Sequence, residues 1–315
     1  MIPTASAVSG RSMGRRRGAP SRLHYPTYAT TTAGRQWTTM ELTKLTQVEF
    51  DRFRTFIYGK TGIRMADGKI TLLSNRIRRR LRELKIESFE DYYLQLTRDR
   101  LPGELEQFID AVTTNETHFF RTGGHFEWFS ESFLPSMMSR AAGRTHDKSL
   151  RVWSAACSSG EELYTLAICI DEAMQNLAGW RIALLGSDIS ETMIDAARKG
   201  IFPDRSLEHV SEARRQKYFS RQPDERSWAI RPTLINKCEF RRHNLLDPLA
   251  APKQDCIFIR NVFIYFDRES KKRAVRNLID ALAPGGALVV GPADGIYDLL
   301  GELEKKSIFL YEKPL

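Results

Sequence analysis

From Leu150 onward the chain alternates short apolar, β-branched runs with helical patterns, and this alternation limits its fold more than any other feature. LRVWSAAC reads as a strand and the stretch from Glu161 to about 177 as a helix. RIALLGSD is the next strand, and ETMIDAARKG a helix that Gly200 ends. CEFRRHNL, DCIFIRNVFIYF and GALVVGP follow as apolar, β-branched runs, the first two giving strands that end at Asn244-Leu245 and Asn261-Val262, with a helix over about 270–282 before the last and Pro284-Gly285-Gly286 as its stop. Repeated βα units predict an α/β fold: a doubly wound, mostly parallel sheet that takes its ligands at the carboxyl ends of the strands. Residues 202–237 interrupt the alternation and read as a small, polar, Arg-rich inserted subdomain.

The part before the sheet has a different period. Phe50, Phe53 and Ile57 recur at helical spacing before Gly59 and Gly62 break the run. Ile70, Leu73, Ile77, Leu81 and Leu84 form the apolar stripe of a second helix, with Arg76, Arg78, Arg79, Arg80 and Arg82 expected around its exposed side. Phe89, Tyr92, Tyr93 and Leu96, then Leu105, Phe108, Ile109 and Val112, mark two more. Residues 40–118 are thus expected to form an all-helical N-terminal domain, and 119–315 the sheet domain.

The net charge of +9 suggests a polyanion partner until it is located. It sits in residues 1–39, with six arginines and no acid, and in the helix over 76–85; the rest is slightly acidic. Residues 1–39 read as a disordered basic tail, an organelle targeting segment or a start assigned too early. No apolar run is long enough to span a membrane. Four scattered cysteines show neither a zinc nor a disulfide framework, which fits a cytoplasmic protein.

Several residues at the predicted strand ends could carry chemistry. Ser154 to Glu162 gives a small-residue turn into a helix, yet it matches neither a dinucleotide fingerprint nor a P-loop. Glu161 and Glu162 there disfavour a phosphate and suit a cationic or hydroxyl-rich ligand; simple helix capping explains them too. Asp188 suits ribose hydroxyls or the cap of the next helix. Asn244 and Asn261 close two further strands, where a purine edge could be read, or are ordinary turn residues. Thr113 to Arg121 crowds hydroxyls, an amide, two aromatics and a guanidinium into a domain junction. His118, His125 and His243 lack metal-ligand spacing, and no metal is expected.

Taken together, TTNETHFFR, VWSAACSSGEELYTLA, SDIS with AARKGIF, HNLLDPL and IFIRNVFIYFD recur in an order and spacing that resembles the CheR-type chemoreceptor glutamate O-methyltransferases. The resemblance covers about 40–312, including the NRIRRRLR helix. It implies a Rossmann-like class I methyltransferase fold, with S-adenosylmethionine as methyl donor and S-adenosylhomocysteine as product. It places Asn115, Thr117 and Arg121 on the cofactor, Glu162 and Asp188 on its amino-acid and ribose parts, Asn244 and Leu245 at the adenine, and Asn261 and Val262 on the methionine side. Arg121 and Tyr265 are implied nearest the transferred methyl group.

The implied partner is a chemoreceptor-like coiled coil whose acidic helical face would meet Arg76, Arg79 and Arg80. Nucleic acid is disfavoured, because the Arg helix carries no exposed aromatic for base stacking. The remaining alternatives are a methyltransferase acting on another protein or on RNA, and a non-catalytic cofactor-binding regulator. The chain departs from the family twice. A Ser-Glu pair after the last strand is replaced by Gly291-Pro292-Ala293-Asp294-Gly295, which leaves that corner of the site open. The inserted subdomain lacks a Gly-rich turn, with no glycine between Phe219 and Phe240, so no tether to a receptor's C-terminal peptide is expected.

Overall fold

The computed structural model describes residues 44–143, 147–174 and 178–315; the tail read over 1–39 lies outside them. Four helices come first: α1 (Gln47–Thr61), α2 (Ile70–Leu84), α3 (Phe89–Thr97) and α4 (Glu104–Val112). Thr46 and Glu49 close a capping box at the start of α1. Gly62 ends that helix with φ +73°, and a Cβ there would lie 2.8 Å from Leu246, so this turn can rest on the sheet domain only as glycine. Leu73, Ile77 and Leu81 of α2 are fully buried against Phe50, Phe53, Tyr92 and Phe108. Burial of each such side chain contributes about 1.5–3 kcal/mol.

The expected fan of exposed arginines on α2 is corrected by this packing. Arg79 is exposed, but the Arg80 side chain is only 14% exposed and pairs with Glu104 of α4, itself 4% exposed, at 2.5 Å. Arg80 Nε also donates to Glu104, at 3.0 Å, and Tyr92 adds a third hydrogen bond at 2.6 Å. Arg76 is half-buried and turns toward the domain junction, donating to the Val112 carbonyl and to Thr114 Oγ1.

A helical stretch follows, α5 (Gly123–Trp128) and α6 (Leu134–Ala142), joined by a π-helical segment Phe129–Phe133. Then come β1 (Ser149–Ala155), α7 (Glu161–Ala173), β2 (Arg181–Asp188) and α8 (Glu191–Lys199). The inserted part holds β3 (Ile201–Pro203), α9 (Glu212–Tyr218), β4 (Phe219–Arg221), β5 (Ser227–Ile230) and α10 (Pro232–Ile235). The chain closes with β6 (Cys238–Arg242), β7 (Gln254–Ile259), α11 (Arg268–Ala281), β8 (Leu282–Val290), β9 (Glu304–Lys305) and β10 (Leu310–Glu312).

The main sheet has the order β6-β2-β1-β7-β8-β10-β9, parallel from β6 to β8 and antiparallel at β10. The order reverses at β1, so a crevice opens beyond Ala155 between the β2 side and the β7 side. One apolar cluster covers one face, from Phe119 and α5–α7 to the inserted subdomain; another, with Trp153, Phe263 and α11, covers the other. The inserted subdomain is a three-stranded antiparallel sheet, β3-β5-β4. Its β4–β5 turn manages without glycine: Glu225 takes φ +55°, and Asp224 accepts from the Arg226 and Ser227 amides.

Two expectations change. The strand expected to end at Asn261-Val262 is shorter: β7 stops at Ile259, Asn261 turns left-handed at φ +60°, and Phe263–Tyr265 forms a 3-10 turn. Pro284-Gly285-Gly286 does not stop α11, which ends at Ala281, and lies instead inside β8.

Removing Arg80 leaves the Glu104 charge buried, whereas Arg80 itself also pairs with Glu83. Arg80→Glu should lower unfolding free energy by about 3–5 kcal/mol in urea. Arg79→Glu, on the exposed side, should change it by no more than about 0.5 kcal/mol.

Candidate active site

The loops at the strand ends are held by buried carboxylates. After β1, Ala156, Ser158 and Gly160 all take positive φ, which folds the chain back onto the strand ends before α7 starts. Asp188, at the end of β2, accepts the Ser158 amide at 2.8 Å through one oxygen and the Ser190 amide at 3.0 Å through the other. Burial pushes its carboxyl up, against the pull of those amides. Asp188 is not the cap of α8; Ser190 is, accepting from the Met193 amide. Each Asp188 oxygen keeps a lone pair for a hydroxyl.

Glu162, in the first turn of α7, accepts from Ser154 Oγ at 2.8 Å and from Arg260 Nη1 at 2.9 Å. The Arg260 side chain is 2% exposed; its second nitrogen donates to the Arg121 carbonyl, and its Nε has no protein partner. Arg260 therefore ties the end of β7 to α7 and to the junction segment. Arg121 donates to the Glu116 carbonyl at 2.8 Å and stands between Phe120 and Thr122, both with left-handed backbone. Five of the eight non-glycine residues with positive φ among the described ones lie in these loops: Phe120, Thr122, Ala156, Ser158 and Asn261. Each costs about 1–3 kcal/mol, and such strain persists where surrounding contacts over-determine it.

The helical domain forms the opposite wall. Ile63 pairs with Phe266 as an isolated antiparallel bridge, and the Arg64 amide donates to the Tyr265 carbonyl at 2.8 Å. Asn244 donates to the Lys60 carbonyl at 3.0 Å and accepts from the Leu246 amide at 3.1 Å. Its side-chain amide thus holds the domain junction rather than standing free to read a base edge. Arg76 lies near Tyr265, and burial lowers its guanidinium's affinity for its proton. Asn115 gives its carbonyl to Ser158 Oγ at 3.1 Å.

Between the two walls is a cavity of about 390 Å³, within the usual range for small-molecule sites. Asn115, Thr117, Arg121, Glu162, Asp188, Asn244, Leu245, Asn261, Val262 and Tyr265 all line it, as does Arg76. Arg79 and Arg80 do not. Leu245 and Val262 give it an apolar flank, and Glu162 and Asp188 an acidic one. That combination fits a ligand with a flat apolar ring, hydroxyls and a cationic group.

Two residues escaped the sequence reading. Arg260 directly follows the buried apolar run Cys256–Ile259, a place where a buried charge needs a buried partner. Asp294 is fully buried, in the Gly291–Gly295 segment that follows β8. It accepts the backbone amides of Asn261, Val262, Phe263 and Gly291 at 2.8–3.1 Å. Among the described residues no cluster of three or more His, Cys, Asp or Glu is placed to hold a metal ion.

Residues 115–308 match the CheR methyltransferase, SAM binding domain, and residues 48–113 the CheR methyltransferase, all-alpha domain. The chain is 36% identical over 253 residues to chemotaxis protein methyltransferase 2 of Pseudomonas aeruginosa, covering 79% of this chain and 87% of the relative. It is 35% identical over 272 residues to the chemotaxis protein methyltransferase of Salmonella typhimurium, covering 85% and 90%. With the protein of that name from Escherichia coli it shares 34% over 260 residues, covering 81% and 87%. Matches to both domains in order, and relatives aligned over most of their length, show that the chain belongs to the CheR methyltransferase family.

Proposed function

We propose that this protein transfers a methyl group from S-adenosylmethionine to glutamate carboxylates of a chemoreceptor-like coiled-coil protein, giving glutamyl methyl esters and S-adenosylhomocysteine. The observation that carries this reading is one cavity lined by both carboxylates and cations. Glu162 and Asp188 line it together with Arg76, Arg121 and Tyr265, which come from α2, the junction segment and the turn after β7. The acids suit the ammonium and ribose of the donor, and the cations suit a carboxylate acceptor.

S-adenosylmethionine, when bound, supplies an electrophilic methyl on a sulfonium centre. The acceptor glutamate is already ionised near neutral pH, so it needs no proton removed before its oxygen attacks that carbon. The protein's task is to align the carboxylate with the C–S bond and exclude water. Arg121 and Tyr265 orient the carboxylate through a charge-assisted bond and a hydroxyl donor. A tighter grip would hold its lone pairs and slow attack. Glu162 is neutralised by Arg260, so the acidic flank stays stable before the donor arrives. Among the described residues no helix is long and apolar enough to cross a membrane.

For the protein acceptor, the Arg helix remains the proposed docking face, with roles redistributed. Arg79 and Arg82 offer exposed charge, Arg76 reaches the cavity, and Arg80 is committed to Glu104. An acidic helix would be oriented by charge along α2 before its glutamate enters.

A methyl-labelled donor incubated with a receptor signalling domain tests the reaction itself. Label released as methanol in mild base is expected; base-stable label, or none, contradicts the proposal. Asp188→Ala should weaken S-adenosylhomocysteine binding by about 1–3 kcal/mol in calorimetry. Arg121→Ala and Tyr265→Phe should each slow turnover at saturating donor while leaving thermal unfolding nearly unchanged. Arg79→Glu with Arg82→Glu should abolish protein methylation and spare cofactor binding. Raising salt from about 50 to about 300 mM should slow transfer, since exposed charges are screened. Removing the receptor's last residues should change little; tail-dependent, salt-insensitive transfer would place docking elsewhere.

A further inference from the structure

We infer that Asp294 is a positioning residue for methyl transfer: its carboxylate gathers the backbone amides of the turn after β7 and so sets where Asn261, Val262 and Tyr265 stand in the cavity. This rests on the methyltransferase reading above.

The geometry has few alternatives. Asp294 Oδ1 accepts the Val262 and Phe263 amides, each at 3.1 Å, and Oδ2 accepts those of Asn261 at 3.1 Å and Gly291 at 2.8 Å. Three consecutive amides beyond a strand end point the same way only when the chain turns sharply, and Asn261 does so at φ +60°. A carboxylate has the lone pairs to take four donors at once. The side chain is shielded from water, so no solvent can replace it. Gly291 is close enough that a Cβ would lie 2.5 Å from Asp294 Oδ2 and 3.0 Å from the Asn261 nitrogen. Lys271 fastens the segment from outside by donating to the Asp294 and Gly295 carbonyls.

The turn so held continues into Phe263–Tyr265, whose last carbonyl receives the Arg64 amide from the helical domain. Asp294 therefore acts on both walls of the cavity through Tyr265 without lining it. The Gly291–Gly295 segment thus contributes a carboxylate aimed at the turn's backbone.

Asp294→Asn keeps the shape but offers one acceptor oxygen and turns an NH2 toward backbone donors. In the full chain, the amides of 261–263 should then exchange with deuterium roughly tenfold or more faster, while β7 and β8 keep their protection. Turnover per calorimetrically counted S-adenosylhomocysteine site should fall roughly tenfold or more, because the reacting groups lose alignment. Asp294→Glu, which restores two oxygens, should recover most of that turnover and the protection. The exchange readout does not depend on the reaction, so an inactive protein with the predicted exchange pattern would sink the function and spare the role of Asp294. An Asn variant with wild-type exchange at 261–263 or wild-type turnover overturns the inference. If the Asn variant does not fold, Asp294→Glu decides: folded protein with protected 261–263 amides but turnover down about tenfold overturns it equally.

Discussion

The buried pair between Glu162 and Arg260 is the interaction on which the cavity depends. It joins β1 through Ser154, the start of α7, the end of β7 and the Arg121 carbonyl. Arg260, with a side chain 2% exposed, would be stranded without Glu162, at a cost of about 3–5 kcal/mol. Asp188 and Asp294 add a second device: an acid at or beyond a strand end collects amides that left-handed turns cannot give to the sheet. These two carboxylates stand in for regular structure where the backbone has to leave it.

This arrangement explains how strained loops can form a stable site. Left-handed backbone at Phe120, Thr122, Ala156, Ser158 and Asn261 is unfavourable residue by residue. It persists because β7 and the carboxyl ends of β1 and β2 are buried and the turns are pinned. The helical domain adds the last constraint, laying residues 61–66 along Tyr265 and Phe266 and accepting Asn244 at the end of α1. Catalysis by alignment needs such stiffness more than it needs a proton-transfer group.

Most of the sheet was legible because its period is local. Trp153 in β1 and Ile257 in β7 lie in runs whose apolar, β-branched character needs no tertiary information to be seen. The site residues were legible only jointly: Asp188 alone reads equally as a helix cap, and Asn244 as a turn. What stayed hidden is what depends on partners distant in sequence. Arg80 looks exposed until Glu104, 24 residues on, takes its charge. Asn244 looks free until Lys60 accepts its amide. The strand expected to reach Asn261 stops at Ile259, because the apolar pattern does not record that Arg260 must reach Glu162 or that Asn261 turns. β9 and β10 are too short, at two and three residues, for any period to register.

Amide hydrogen exchange with and without S-adenosylhomocysteine tests the central claim, that one ligand site is built jointly by the strand-end loops and the helical domain. The account predicts added protection in 115–121, 156–160, 243–246 and 260–266, together with 61–66 of the helical domain. Protection confined to one domain, or absent from the strand-end loops at saturating ligand, would contradict it.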